Sequence, residues 1–219
     1  YIRGMIANCG FRTKGVPYVW RARKRGFSKN RFYHLVDQGL NGLISFTNLP
    51  MRIAMFTDSA LPIINGVSLS VDALVKELRH QGHSVHLFTA SVPKHKETDP
   101  NVYRFRSITT PWAPDYPLAI PPFVDQLREF RRHSFDVVHS HTPFTIGFVG
   151  LRWAESHDLP MVATYHTLYD RYAHYIPYVP RRYVRFKIAK HTNFFYNSVS
   201  QVICPSKASM RWLRRHMVT

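Results

Sequence analysis

The chain of 219 residues is long enough to bury a sizeable core in one or two domains, and its 45% hydrophobic and 20% charged residues match an ordinary water-soluble globular protein. Thirty Lys+Arg against thirteen Asp+Glu give a formal net charge of +17, which implies an anionic partner: nucleic acid, an acidic membrane surface or phosphorylated small molecules. Cys9 and Cys204 have neither metal-ligand spacing nor a disulfide framework, and no run of about 18 apolar residues occurs, so a disulfide scaffold and a helical membrane span are excluded and a reducing cytoplasm is expected.

Residues 1–50 carry nine basic residues and one acid, Asp37, with the cluster Arg21-Ala22-Arg23-Lys24-Arg25 but no sustained period of 2 or 3.6. A basic nucleic-acid-binding arm is one reading. The plainer one, a disordered or non-native extension, is preferred because a basic segment without a sustained period builds no apolar face to offset the entropy of ordering. Regular patterning starts abruptly at Met51, the expected natural start, so the domain is assigned to residues 51–219.

From there Arg52–Thr57 reads as a buried strand leading through a loop to Asn65-Gly66. Val67, Val71, Leu74, Val75 and Leu78 then share one helical face, and Gly82 ends that helix. Ser84–Ala90 and Val102–Arg106 are strands, and Phe123–His133 is a helix preceded by Pro121 and Pro122. Asp136–His139 is a strand, Thr145–His157 a helix and Met161–Tyr165 a strand. Arg181–Ser198 is a longer helix, Gln201–Cys204 a short strand and Lys207–His216 the last helix. This alternation predicts an α/β fold, a Rossmann-like, doubly wound parallel sheet. Ligands of such sheets sit beyond the carboxyl ends of the strands, which selects the loops after Thr57, His139 and Tyr165.

In the first loop, Asn65 and Gly66 lie where a helix begins, and a helix start offers unpaired N–H groups and partial positive charge to a diphosphate. Asn-Gly alone is equally a plain turn, and no G-x-G-x-x-G fingerprint is present. The other two segments, Asp136–Phe144 and Ala163–Tyr172, each bring histidines to a strand end. His139 reads more simply as a packed strand residue. Zinc on His139, His141 and His166 is disfavoured because no Cys or carboxylate accompanies them at ligand spacing.

MRIAMFTDSALPIINGVSLSVDALVKELRHQGHSVHLFTA, FDVVHSHTPFTIGFVG, LPMVATYHTLYDRYAHYIP and VICPSKASMRWLRR, in that order, resemble successive blocks of the family-four retaining glycosyltransferases of the GT-B fold. PDYPLAIP (Pro114–Pro121) and the tyrosine-rich run after His166 look most like the diacylglycerol glucosyltransferases, with phosphatidylinositol mannosyltransferases as near neighbours. The resemblance implies the acceptor-side N-terminal domain of a two-domain enzyme whose donor-binding C-terminal domain lies outside this chain, so that the chain alone completes no catalytic cycle. It implies that Asn65 and Gly66 approach the donor diphosphate and that His166 contacts the transferred sugar near the reacting centre. Asp58, His141, Tyr165, Asp170 and Tyr172 fall on the acceptor side; for Asp58 and His141 a loop cap or a hydrogen-bonded strand end is an equal alternative. It further implies retention of configuration by front-side attack, no protein nucleophile, no metal, and no cofactor beyond a nucleotide-sugar co-substrate, UDP-glucose being expected.

Beyond Asp170 there is no acidic residue, while the last 49 residues hold ten Lys+Arg interleaved with aromatics. Arg181, Arg182, Arg185, Lys187 and Lys190 crowd one helical stretch, in which Val184, Ile188 and Phe195 form an apolar stripe. With a lipid acceptor implied, the expectation is peripheral contact with an anionic membrane on the inner face of the cell membrane. A solvated basic face with its stripe packed on the sheet is the plainer reading, and no motif supports nucleic acid.

Overall fold

A computed structural model describes residues 50–110, 113–169 and 179–216. The extension 1–49 and the segment 170–178, with Asp170 and Tyr172, lie outside the described residues. Among the described residues eight strands and five helices follow in order: β1 (Arg52–Thr57), α1 (Gly66–His80), β2 (Ser84–Ala90), β3 (Val102–Phe105), β4 (Ser107–Thr110), β5 (Ala113–Ala119), α2 (Val124–Arg132), β6 (Val137–Ser140), α3 (Thr145–Ser156), β7 (Met161–Thr164), α4 (Arg181–Asn197), β8 (Gln201–Ile203) and α5 (Lys207–Arg215).

Six of the strands form one parallel sheet in the order β3-β2-β1-β6-β7-β8. The chain winds outward from β1 to β3, then returns to place β6 on the other side of β1, in the register Ile53↔Val137 to Phe56↔Ser140. Residues of β1 alternate between the two faces. Ile53 and Met55 pack with Val67, Val71 and Val75 of α1. Ala54 and Phe56 pack on the opposite face, in a core with Phe88, Phe105, Phe130 and Phe135. There the Phe56 and Phe88 rings stack with centroids 4.8 Å apart, and Trp153 of α3 meets Phe56 edge-on at 5.8 Å. Both faces of the central strands are thus covered, as a parallel sheet requires.

Helix α1 carries its own signals. The Asn65 side chain accepts from the Val67 and Ser68 N–H groups, and the Ser68 hydroxyl accepts from the Asn65 N–H, a reciprocal capping box. Gly82, at φ +88°, supplies the left-handed residue that lets the chain leave the helix, as its sequence position predicts.

The sequence does not lead one to expect the antiparallel ribbon of β4 and β5, paired Ser107↔Ala119 and Ile108↔Leu118. Pro114 and Pro117 fall in β5, and proline cannot donate to a ladder, so this stretch reads as loop. A two-stranded ribbon tolerates both because each strand has an open edge. The ribbon is tied to the main sheet at Ser107, whose N–H donates to Ser91 Oγ at 3.1 Å and whose hydroxyl donates to the Ser91 carbonyl at 2.6 Å.

Candidate active site at the strand carboxyl ends

Strands β1 and β6 are neighbours whose connections run to opposite sides, so their following loops diverge and leave a crevice, the place where such sheets bind ligands. The loop after β7 adjoins it.

Asp58, the first residue past β1, is 3% exposed. Its carboxylate accepts from the Thr142 hydroxyl and, at 3.1 Å, from the Ile146 N–H, while its own N–H donates to Thr142 Oγ1 at 3.0 Å. Helix α3 has no side-chain cap from Phe144 at its own N-terminus. Asp58 supplies one from across the crevice and locks the β1 and β6 loops together. Burial pushes its carboxyl up to about 6, with the Thr142 and α3 hydrogen bonds opposing that rise. Close approach by α3 also depends on Gly147, where an added Cβ would lie 1.8 Å from the Thr142 carbonyl oxygen.

The β1 loop is held from its other side by Arg104 of β3. Its guanidinium donates to the Leu61 carbonyl at 2.8 Å, to the Ala90 carbonyl at 2.9 Å and to the Glu97 carboxylate at 2.7 Å. Asn65 is spent on the cap and on a 2.8 Å bond from its amide to Ser59 Oγ. Gly66 is different. It does not have a positive φ, and a Cβ added there would meet nothing within 4 Å. Neither backbone conformation nor packing among the described residues requires glycine at the start of α1.

Three histidines line the β6 and β7 ends. His139 Nε2 is 2.8 Å from Thr164 Oγ1. The His139 and His141 ring centroids lie 4.2 Å apart, and His141 Nδ1 is 2.9 Å from His166 Nε2. Burial lowers all three: His139 to about 4, His141 well below the ordinary range, and His166 below it as well. They form a neutral imidazole row, in which His141 is 1% exposed and its Nε2 has no partner. Among the described residues no group of three or more His, Cys, Asp or Glu is arranged to hold a metal ion.

Of the sequence-selected residues, Asp58, Asn65, Gly66, His141 and His166 therefore gather at the strand ends. Tyr165, expected on the acceptor side, is packed in the core. Its ring is fully buried, stacked on Trp212 at 5.6 Å and edge-on to Tyr196 at 5.3 Å. Thr142, Thr164 and Arg104 are structural members of the site that the sequence reading missed. Thr142 and Thr164 stood within the two histidine segments, Asp136–Phe144 and Ala163–Tyr172.

Helix α4 adjoins this region. His191 Nε2 donates to the Pro143 carbonyl at 2.6 Å, and its ring lies 4.9 Å from that of Phe148. Val184 and Phe195 of the anticipated stripe are buried and Ile188 is partly buried, so that stripe packs on the domain. Arg181, Arg182, Arg185, Lys187 and Lys190 are exposed, and a second stripe accompanies them: Tyr183, Phe186 and Phe194 are 53%, 63% and 60% exposed.

Fold and crevice together define a Rossmann-like domain of the GT-B type, its N-terminal half. The profile of Glycosyltransferase Family 4 matches residues 64–219, and the chain belongs to that family. It is 34% identical over 166 residues to the alpha-monoglucosyldiacylglycerol synthase of Streptococcus pneumoniae, covering 72% of this chain and 36% of that protein. It is 35% identical over 163 residues to the enzyme of the same name from Acholeplasma laidlawii, covering 72% and 41%. A GDP-mannose-dependent alpha-mannosyltransferase of Mycobacterium tuberculosis is 33% identical over 123 residues, covering 53% and 32%. The chain thus spans 36% and 41% of the length of the two glucosyl-lipid synthases it matches.

Proposed function

We propose that this domain is the acceptor side of an enzyme that transfers a hexose, glucose from UDP-glucose, with retention of configuration to diacylglycerol or a related lipid at a membrane surface. The observation that carries the reading is Gly66. Nothing among the described residues requires a glycine there, no described atom lies within 4 Å of an added Cβ, and it begins a 15-residue helix at the crevice. A diphosphate brought against that helix start would supply the requirement that the protein lacks. His166 sits across the crevice as a neutral, half-buried imidazole. A fixed neutral donor there orients a sugar hydroxyl and favours charge developing on oxygen as the glycosidic bond breaks. No protein nucleophile is assigned, and the leaving diphosphate takes the acceptor proton. The lipid acceptor rests on the similarity to the two alpha-monoglucosyldiacylglycerol synthases.

The test uses the complete protein encoded by the reading frame that contains this chain, assayed with UDP-glucose or GDP-mannose against diacylglycerol, phosphatidylinositol and soluble acceptors. Glucosyl-diacylglycerol should form from UDP-glucose. His166→Ala should lower turnover by about 10²-fold or more, on the scale of a lost transition-state donor. Gly66→Leu should weaken donor binding by crowding the diphosphate. The similarity to a GDP-mannose-dependent mannosyltransferase favours one rival, mannosyl transfer, and mannosylated product from GDP-mannose alone would replace the glucosyl reading.

A further inference from the structure

Two observations about the histidine row bear on where the hydrogens sit. His141 Nδ1 is 2.9 Å from His166 Nε2, so one of these nitrogens donates and the other accepts. His141 Nε2 is buried and has no partner. A neutral imidazole carries a single N–H. If His141 accepted at Nδ1, its hydrogen would sit on Nε2, a buried donor with nothing to receive it. If His141 donates at Nδ1, the buried Nε2 holds only a lone pair. Orphaned buried N–H groups are the rarer and costlier of the two. A doubly protonated ring would combine the orphan donor with a buried charge, which is worse still.

We propose that His141 is a positioning residue: its Nδ1–H donates to His166 Nε2 and thereby fixes His166 as the tautomer that carries its hydrogen on Nδ1. That nitrogen has no hydrogen-bond partner among the described residues, and His166 is only half-buried, so the fixed N–H faces outward beyond the end of β7. Burial keeps both rings neutral, so the relation holds through the physiological range. His141 is itself packed by the His139 ring, 4.2 Å away and tilted by 34°, which Thr164 anchors. A second ring nitrogen setting the tautomer of a working histidine is a known physical device. The tautomer stands on the geometry alone. Its use, as a donor to an oxygen of the transferred sugar, rests on the reading of His166 given above, and the two can fail separately.

The test is nitrogen-15 NMR of the chain labelled at histidine, with the His141 and His166 signals identified by substitution. Wild-type His166 should show a protonated Nδ1 and a lone-pair Nε2 at neutral pH. In His141→Leu the donor is gone, and His166 should move to the Nε2–H form that free histidine favours in water. In His141→Asn the side-chain amide still donates from near the Nδ1 position, and the wild-type pattern should return. A merely structural His141 would leave the tautomer of His166 unchanged in every folded variant. An Nε2–H His166 in the wild-type chain, or an unaltered Nδ1–H form in folded His141→Leu, overturns the proposal. If the Leu variant does not fold, the wild-type signal and its retention in His141→Asn decide. Loss of glycosyl transfer with the tautomers as stated would count against the use of His166, not against its positioning.

Discussion

At the scale of single residues, the site separates groups that the fold needs from groups that it does not. Asp58 belongs to the first kind, and its burial leaves a pH signature. Its carboxyl, normally near 3.8, is raised to about 6 in the folded chain, so between those values the native state binds more protons than the unfolded state. Stability from this group is therefore greatest below the unfolded value and falls as pH rises through 6. Asp58→Asn removes the charge while keeping an acceptor for Ile146, so it should stabilise the chain at pH 7–8 by at most about 3 kcal/mol. That gain should vanish near pH 4. Thermal melts of both proteins across this range would show it, and a gain independent of pH would mean that the buried charge is not its source. The sequence revealed the histidines, Asn65 and Gly66 because each lies in a short local segment at a strand end. It could not reveal that Asp58 caps a helix 88 residues away, or that Arg104 reaches Leu61 across 43, because such partners meet only through the sheet.

At the scale of elements, the parallel sheet was legible because each strand is a short apolar run and each helix has an apolar face. Strand and helix positions agree with expectation to within a residue or so at most ends. The β4–β5 ribbon was hidden by Pro114 and Pro117, which signal a loop unless one knows that both edges are open. The basic helix was half legible. Its stripe of Val184, Ile188 and Phe195 was seen, but only packing shows that this stripe faces inward and that Tyr183, Phe186 and Phe194 face out. Glycines give the sharpest test at this scale. Gly147→Ala would drive a Cβ into the Thr142 carbonyl at 1.8 Å, forcing α3 away from the β6 loop. It should destabilise the chain by about 3 kcal/mol or more in denaturant titration. Gly66→Ala meets no atom and no positive φ, and should be neutral or stabilise by about 0.4–1 kcal/mol. A large loss from Gly66→Ala would show that the fold does require that glycine and would remove the argument for a ligand beside it.

At the scale of the molecule, the charge and the site meet at α4. The net +17 is not spread evenly: the last 49 residues have no acid, and five of their ten basic residues lie on this helix. Charge alone would suit any polyanion, but the three exposed aromatics among those cations suit an interface that is anionic outside and apolar just beneath. If the acceptor is diacylglycerol, as proposed, it stays in the bilayer and the crevice has to come to the surface. Helix α4 is braced on the β6 loop through His191 and Pro143, two residues from His141, so docking it would carry the histidine row with it. Among the described residues no helix is long and apolar enough to cross a membrane. The chain should co-sediment with anionic vesicles in preference to zwitterionic ones, with each cation near the surface contributing about 1 kcal/mol. Raising the salt should weaken that preference as the screening length shortens to about 8 Å and below. Changing Arg181, Arg182, Arg185, Lys187 and Lys190 to Ser should abolish the anionic preference. Changing Phe186 and Phe194 to Ser should instead remove the binding that survives high salt. Equal binding to both vesicle types, or undiminished anionic binding by the five-fold variant, would reassign this face to solvent or to another polyanion.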